Sequence, residues 1–344
     1  MLLSLFCCFA MLLASLLAIA FSTLLERKLM AAVQLRLGPN ILGIAGLIQP
    51  IADGVKLLAK EFIIPASSYS SFFVAAPILL LAMSLSLWAI MPFGFGLLLA
   101  DYNYSLLLLL AISSLNVLSI AIAGWSSQSS YALLGALRSA AQLVSYELVF
   151  AAIFLAIIAS SSSLSLSYIA WCQIRLWLAM PLLPLSLIFI IALLAETNRA
   201  PFDLPEAEAE LVAGYNVEYS SGAFAMLFLA EYSNILLLSS LASITLLGAS
   251  SSSLLLSPLI LAVKASSLTV LTVLIRAAYP RYRYDQLMAL GWKALLPLVF
   301  ALLGAIVFIM LLAIACFSSV IIASCYRFSL LLALAWFAIA ASRC

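Results

Sequence analysis

The sequence contains no histidine, and charged residues make up only 8% of its 344 positions. Without an imidazole side chain, the chain offers neither a histidine ligand for haem nor a histidine proton relay, which excludes cytochrome-like membrane proteins. In a soluble globular protein about a quarter of the residues are charged, because the surface faces water. Here 67% of the residues are hydrophobic. The solvent for most of this chain is therefore lipid.

Other chemical signatures are also missing. The six cysteines form no Cys-x-x-Cys pair, and the adjacent Cys7 and Cys8 are poorly placed to hold one ion together. We therefore expect no disulfide framework, no metal site and no iron–sulfur cluster on this chain. There is no Gly-x-Gly-x-x-Gly fingerprint for a dinucleotide and no phosphate loop, which argues against an ATP-driven pump. No Lys/Arg-rich run indicates nucleic acid.

Long apolar runs recur along the chain. A transmembrane helix needs about 20 apolar residues, and no alternation typical of barrel strands is present. We predict an all-α polytopic membrane protein with one bundle over residues 1–317. The eight runs lie at residues 1–25, 62–100, 102–137, 139–175, 176–195, 222–248, 254–275 and 294–326. The apolar extension at residues 318–344 is expected to lie along the membrane or against a partner rather than to span it.

The distribution of Lys and Arg predicts the orientation. Alternate connections carry eleven of these residues on one side, against three on the other. Because positive charge accumulates on the cytoplasmic or matrix side, the first connection is expected there and the N-terminus on the opposite side.

The first connection contains an amphipathic pattern at about residues 41–60. Gln49, Asp53, Lys56 and Lys60 are spaced by four, three and four, which places them on one stripe of a helix, and apolar residues cover the other side. The pattern indicates a helix lying in the membrane interface. A simple surface anchor would be the preferred interpretation if the segment stood alone.

The second connection, at about residues 196–221, is acidic. Six carboxylates and one arginine fall within 23 residues, and apolar residues flank them. Like charges placed close together raise the proton affinity of part of the cluster, so that it could exchange protons near neutral pH. The alternative is a solvated acidic loop. A third connection, at residues 276–285, is rich in Arg and Tyr and suits either interface anchoring or the docking of a partner.

Three charged residues lie inside the predicted spans. They are Glu147, Glu231 and Lys264. A charge at the membrane centre costs ~3 kcal/mol or more and is usually paired, functional or both. Lys264 is a candidate counter-ion for one of the two carboxylates. The structural alternative is a buried ion pair that only fixes helix packing.

Several long motifs in order resemble one family. They occupy residues 26–28, 34–40, 46–56, 131–138, 145–147, 196–203, 218–219, 230–234 and 279–288. Together they resemble the first membrane subunits of NADH:ubiquinone oxidoreductase, respiratory complex I, over about residues 20–300. Residues 33–36 and 278–282 resemble the mitochondrial members, which implies the mitochondrial inner membrane with the N-terminus on the intermembrane-space side.

The resemblance implies a position at the elbow between the hydrophilic arm and the proton-pumping membrane arm, where ubiquinone is the substrate. Residues that match the quinone passage of the family are Arg27, Asp53, Phe224, Phe228 and Arg276. Residues that match the charged path toward the antiporter-like subunits are Glu147, Glu196, Asp203, Glu206, Glu208, Glu210, Glu231 and Lys264. Loops expected to face partners carry Arg36, Arg138, Arg199, Glu218, Arg281 and Arg283.

The same resemblance assigns the flavin and the iron–sulfur clusters to partner subunits and no bound cofactor to this chain. The expected partners are the hydrophilic-arm subunits of the quinone site, the adjacent membrane-arm subunits, ubiquinone and lipid, without nucleic acid. Two other functions stay open at this point. They are a hydrogenase-type or sodium-motive relative that does not use ubiquinone, and a stand-alone secondary transporter, for which no repeated halves are visible.

The acidic connection generates the first prediction. Glu206 and Glu210 share a face if the segment is helical, and all of Glu206, Glu208 and Glu210 point one way if it is extended. Neutralising Glu206 and Glu210 together to Gln should severely slow quinone-linked turnover and proton pumping, because the titrations of these carboxylates are coupled. Electron transfer from NADH to an artificial acceptor on the hydrophilic arm should stay normal. Glu218→Gln should be milder, and a double variant that assembles and pumps normally would show that the loop is only a solvated surface.

Overall fold

The chain was analysed as a computed structural model, which describes residues 2–94, 98–174, 176–203, 214–248 and 256–317. The regular elements in these ranges are helices, as predicted. They are α1 (Leu2–Val33), α2 (Gln49–Ala59), α3 (Ser70–Ser86), α4 (Ser105–Ser126), α5 (Ser130–Ser161), α6 (Leu166–Cys172), α7 (Leu183–Glu196), α8 (Ser221–Thr245), α9 (Leu256–Ala278), α10 (Tyr284–Ala289) and α11 (Leu296–Phe317). Short 3₁₀ turns lie at Ile44–Gly46, Leu87–Ile90 and Gly214–Asn216, and a π-helical turn at Leu290–Leu295 joins α10 to α11.

Seven helices in the described part of the chain are long and apolar enough to cross a membrane. They correspond to α1, α3, α4, α5, α8, α9 and the continuous unit from α10 into α11. The remaining predicted run, residues 176–195, contains the shorter helix α7 of 14 residues. At 1.5 Å per residue this helix is about 21 Å long, less than the ~30 Å hydrocarbon thickness. The extension at residues 318–344 lies outside the described residues, so its position stays a prediction.

Helix α5 forms the centre of the bundle and packs against α4, α7 and α11. Its aromatic residues Phe150 and Phe154 both make edge-to-face contacts with Phe189 of α7, with ring centroids 5.2 and 5.9 Å apart. A second core joins α3, α4 and α8, where the rings of Phe73 and Tyr219 stack at 4.2 Å. Aromatic pairs of this kind add to the area that they bury, so they fix the relative positions of these helices.

The predicted amphipathic helix is present in part. It begins at Gln49 and ends at Ala59, while residues 44–46 form a separate 3₁₀ turn. Gln49 Nε2 donates to Asp53 Oδ1 at 3.0 Å, so these two polar side chains share one face of the helix. Lys60, which is expected on the same stripe, lies beyond the helix end in extended backbone. On the other side Ile51, Val55 and Leu58 are exposed, as expected of a surface that meets lipid or a partner.

Helices α4 and α5 approach most closely at Gly124. A Cβ atom at this position would lie 2.2 Å from the Cβ of Ala136 and 2.9 Å from the carbonyl oxygen of Ala132. Small residues at such a crossing allow two backbones in a membrane to come into contact. The close approach therefore depends on glycine at this position.

Gly124→Ala should destabilise the folded chain by ~1–3 kcal/mol, because α4 and α5 must separate to accommodate the methyl group. The thermal unfolding midpoint measured in detergent reports the change. Gly304→Ala in α11 is the matched control, since nothing lies within 4 Å of the Cβ atom that it adds. A Gly124→Ala midpoint equal to that of the control would contradict the close approach.

Candidate functional site

One buried carboxylate connects four segments of the chain. Glu26, in the last third of α1, is only 7% exposed. Its Oε1 accepts from Arg199 Nη1 at 3.0 Å and forms an ion pair with Arg276 of α9. Its Oε2 accepts from the hydroxyl of Tyr232 of α8 at 2.7 Å. These four residues are called the Glu26 cluster below.

The Glu26 cluster carries more positive than negative charge. Arg199 follows α7, is 7% exposed, and its guanidinium lies 4.5 Å from the centre of the Tyr232 ring. Two arginines, Arg199 with a 9% exposed side chain and Arg276 with a 27% exposed one, therefore share one carboxylate. A buried charge is tolerated only when it is paired, so the cluster ties the end of α1 firmly to α8 and α9.

A cavity of ≈ 360 Å³ lies between α1, α8 and α9, with the Glu26 cluster at its polar end. It is called the α1–α8–α9 cavity below. Most of its surface is apolar. The lining residues from α1 are Ala18, Phe21, Ser22, Leu25 and Glu26, and those from α9 include Leu261, Ala262, Ala265, Ser266, Thr269 and Thr272.

The residues expected at the quinone passage fall into separate groups. Arg27 Nη1 contacts Asp53 Oδ2 at 2.6 Å and joins α1 to α2. This pair is half-exposed on the arginine side. Phe224 and Phe228 contact each other on α8, with ring centroids 4.5 Å apart. Arg276 belongs instead to the Glu26 cluster, although Glu26 and Arg27 are adjacent in sequence. Successive residues of a helix point about 100° apart, which explains the division.

A second, smaller cavity of ≈ 50 Å³ is lined by several of the expected proton-path carboxylates. Glu196 and Glu231 line it directly, and Ser113, which also lines it, donates to Glu147 at 3.3 Å. Tyr215 donates to Glu231 Oε1 at 2.5 Å. Glu196 Oε2 has no hydrogen-bond partner among the described residues, and the same holds for Oδ1 of Asn116 and of Asn198. The structure thus places two carboxylates on this cavity and a third, Glu147, one hydrogen bond away from it.

Lys264 lies elsewhere. Its Nζ donates to the carbonyl oxygens of Leu247 and Gly248 at 2.8 and 2.5 Å and lies 4.5 Å from the centre of the Trp177 ring. These carbonyls follow the end of α8, where backbone oxygens lack helical partners and carry partial negative charge. The expected pairing of Lys264 with Glu147 or Glu231 is therefore not what the structure shows.

The acidic connection is described at its two ends only. Asp203 is 3% exposed and lies 3.3 Å from Arg281 Nη2. Glu206, Glu208 and Glu210 lie outside the described residues. At the far end Glu218 is partly exposed, and burial raises the pKa of Tyr219, an effect that a contact with Ser126 partly offsets. Tyr219 therefore stays a neutral phenol at neutral pH.

The residues expected on partner-facing loops differ in exposure. Arg36, Arg281 and Arg283 are exposed, and Arg138 is half-buried. Arg199 is a correction, because it is buried in the Glu26 cluster instead of facing outward. An arginine in a loop suggests an outer surface. Here Glu26, which is far away in sequence, contacts Arg199 inside the bundle and compensates its charge.

Sequence reasoning did not single out Glu26, Tyr232, Tyr215 or Gln142 as site residues. Gln142 of α5 is fully buried and donates to the carbonyl oxygens of Ala195 and Phe202 at 2.8 and 2.9 Å, which holds the start of the acidic connection. A buried amide at a helical position was the available signal, since polar groups inside a membrane bundle need internal partners. No group of three or more potential metal ligands occurs among the described residues.

Comparisons with known proteins bear on this site. A family model described as NADH dehydrogenase matches residues 6–309. The chain is 50% identical over 293 residues to NADH-ubiquinone oxidoreductase chain 1 of Chondrus crispus and 52% identical over 293 residues to chain 1 of Arabidopsis thaliana. Each alignment covers 83% of this chain and 90% of the relative. The chain is also 50% identical over 289 residues to NADH-ubiquinone oxidoreductase chain 1 of Salmo salar, covering 83% of this chain and 89% of that protein.

The Glu26 cluster generates a stability prediction. Glu26→Gln should lower the free energy of unfolding by ~3–5 kcal/mol, because it leaves two arginines buried without a carboxylate. Asp53→Asn, which removes the partner of the exposed Arg27, should cost only ~0–1 kcal/mol. Thermal unfolding in detergent measures both variants. Equal losses in the two variants would mean that the Glu26 cluster is not a buried charge network.

Proposed function

The chain belongs to the NADH dehydrogenase family that includes chain 1 of NADH-ubiquinone oxidoreductase, and we propose that it forms the ubiquinone passage of that complex. As a member, it is a multi-pass core subunit of the membrane part of respiratory complex I and has no independent catalytic activity in this proposal. The names of its relatives favour a quinone oxidoreductase over a hydrogenase-type relative or a stand-alone transporter.

The observation that carries the proposal is the Arg27–Asp53 ion pair. It joins α1 to α2 at 2.6 Å, and α8, which carries the Phe224–Phe228 pair, packs against both helices. Ser221 Oγ at the start of α8 donates to the carbonyl oxygens of Leu57 and Lys60, which fixes α2 at this junction. An isoprenoid quinone needs an apolar route for its tail and oriented polar groups for its head. In this proposal the Phe224–Phe228 pair contacts the tail and the Arg27–Asp53 pair orients the head.

Coupling to proton movement starts from the neighbouring residues. Arg27 of the passage and Glu26 of the Glu26 cluster are adjacent, so a change of charge on the quinone alters the potential at Arg276 and Arg199 as well. Interactions between charges are strong in a medium of low dielectric constant. In this proposal the chain responds to quinone reduction through the change in electrostatic potential at these charged residues, and it needs no cofactor of its own.

A continuation toward the interior follows α8. Tyr232 donates to Glu26, and the preceding residue, Glu231, accepts from Tyr215 at the smaller cavity. Glu196 and the Ser113–Glu147 pair line or adjoin the same cavity. Buried acceptors of this kind are commonly satisfied by water, which can carry protons between them. We assign this path to the start of the proton route, with Asp203, Glu206, Glu208 and Glu210 at its loop end.

Partner subunits supply the redox groups in this proposal. The flavin and the iron–sulfur clusters belong to the hydrophilic arm, which would dock on the charged-loop side through Arg36, Arg281 and Arg283. The adjacent membrane-arm subunits would receive the proton route from Glu147. Lys264 would support this route from the far end of α8 by holding that helix, and not as a proton carrier.

We place the charged loops on the matrix side of the mitochondrial inner membrane and the N-terminus on the intermembrane-space side, on the basis of the Lys/Arg asymmetry. In membranes stripped of partner subunits, reagents should label the connection at residues 200–219 from the matrix side only. Intact mitoplasts and inverted vesicles provide the two sides of the comparison. Labelling from the intermembrane-space side would overturn the orientation.

The passage is tested by charge removal at the α1–α2 junction. Arg27→Gln and Asp53→Asn should each slow NADH oxidation by ubiquinone about tenfold, the effect of losing ~1.4 kcal/mol in the rate-determining step. NADH oxidation by a hydrophilic artificial acceptor should be unchanged. Lys56→Gln, one turn further along α2, is the control and should leave both rates unchanged. If all three variants behave alike in a fully assembled complex, the passage lies elsewhere.

A further inference from the structure

The α1–α8–α9 cavity is separate from the proposed quinone passage. Its α1 wall is formed by residues around Ala18, Ser22 and Leu25. At 3.6 residues per turn, Arg27 lies about 180° around the helix from Ala18. The cavity and the Arg27–Asp53 pair therefore occupy opposite faces of α1. Arg276, which the family resemblance assigns to the quinone passage, lines the cavity and not the α1–α2 junction.

The walls of this cavity suit an alkyl chain. Side-chain hydroxyls occur along the α9 wall, but they are satisfied within their own helix. Ser266, Thr269 and Thr272 each donate to the carbonyl oxygen three residues earlier, at 2.9, 2.8 and 2.7 Å. These groups therefore present no free donor to a ligand. From Pro258 to Arg276 the lined part of α9 is about 27 Å long at 1.5 Å per residue, which is most of the hydrocarbon thickness.

The polar end of the cavity calls for an anion. The charged residues that line it are Glu26, Arg199 and Arg276, which together carry one excess positive charge. Arg199 Nη2 is buried and has no hydrogen-bond partner among the described residues, and the whole residue is only 7% exposed. Glu231 lines the smaller cavity and not this one, and its negative charge acts on Arg199 from that side. A buried guanidinium donor without an acceptor is costly, and an anionic oxygen would satisfy it.

The only charged lining residue that keeps substantial exposure is Arg276. Its side chain is 27% exposed, whereas those of Glu26 and Arg199 are 10% and 9% exposed. It stands in the last turn of α9, where an amphiphile from the adjacent leaflet would enter with its head at the helix end and its tail along the wall. The positive lining residues, the unpartnered Arg199 Nη2 and the long apolar wall of α9 all suit an amphiphile with an anionic head.

We propose that the α1–α8–α9 cavity binds an anionic phospholipid from the leaflet on the charged-loop side. The phosphate accepts from Arg199 Nη2 and Arg276, and one acyl chain lies along the small side chains of α9. The lipid neutralises the excess charge of the Glu26 cluster and holds α1 against α9. A neutral quinone would leave that charge uncompensated, and a zwitterionic lipid would bring its own positive group to two arginines.

The test introduces a large side chain into the cavity from α9 and, as a control, the same side chain at a neighbouring position of α9 outside the cavity lining. Ser266 lines the cavity and Ser267 does not, while both side chains are exposed on α9 and both hydroxyls donate to the carbonyl oxygen three residues earlier. Complexes that contain the native chain, Ser266→Trp or Ser267→Trp are purified with full subunit content and washed with detergent. The lipids that remain are extracted and counted by mass spectrometry.

Ser266→Trp should lose a single tightly held anionic phospholipid per complex, while Ser267→Trp should retain the native amount. If Ser266→Trp fails to assemble, Ala262→Leu repeats the measurement with a smaller side chain, and Val263→Leu, outside the cavity lining, is its control. Arg276→Gln should lower retention of anionic lipid when complexes are re-equilibrated with vesicles of mixed anionic and zwitterionic phospholipid.

Equal anionic lipid in the Ser266 and Ser267 variants would overturn the proposal. So would a map of the native complex with a quinone or a helix of another protein chain in the cavity, or retention of only zwitterionic lipid. Since these readouts count lipid and not turnover, their failure is distinct from failure of the proposed quinone passage.

Discussion

The hydrocarbon interior of a membrane can neither solvate a charge nor donate a hydrogen bond, and under this constraint Glu26 holds several helices of the bundle together. Its carboxylate holds Arg199, Arg276 and Tyr232, which come from three segments far apart in sequence. Neither Glu26 nor Arg199 could remain charged and buried alone, so the end of α1 is held against the middle of α8 and the end of α9. The cavity on one side of α1 and the ion pair with α2 on the other both exist because this end of the helix is fixed.

The end of α1 therefore separates two environments. Glu26 is directed into the bundle and Arg27 toward α2, where its partner Asp53 stays partly in contact with solvent. A charge that changes near Arg27 acts on Glu26 over the distance between adjacent residues. Tyr232 and Glu231 repeat this arrangement on α8, since one contacts Glu26 and the other contacts Tyr215. In both places neighbouring residues on a helix connect two sites that the backbone keeps apart.

The spans, the short amphipathic helix and the motif order follow from local properties of the sequence, because hydrophobic length and helical spacing need no knowledge of the tertiary fold. The partners of the charged residues do not follow in the same way. Arg199 lies in a polar connection and resembles a surface residue until Glu26, 173 positions earlier, is placed beside it. Lys264 suggests a counter-ion for a carboxylate, yet the carbonyl oxygens at the end of α8 are nearer. Such choices depend on helix packing, which spacing along the chain does not encode.

The two ends of α8 are held by different neighbours. At the first turn Ser221 donates to carbonyl oxygens of α2 and the residue that follows it, and beyond the last turn Lys264 of α9 binds the carbonyls of Leu247 and Gly248. A piston-like displacement of α8 along its axis would break hydrogen bonds at both ends at once. Rotation of side chains about a stationary axis would break none of them. Helix α8 is thus held against movement along its axis. A change of charge or of hydrogen bonding that passes along it must therefore be carried by its side chains.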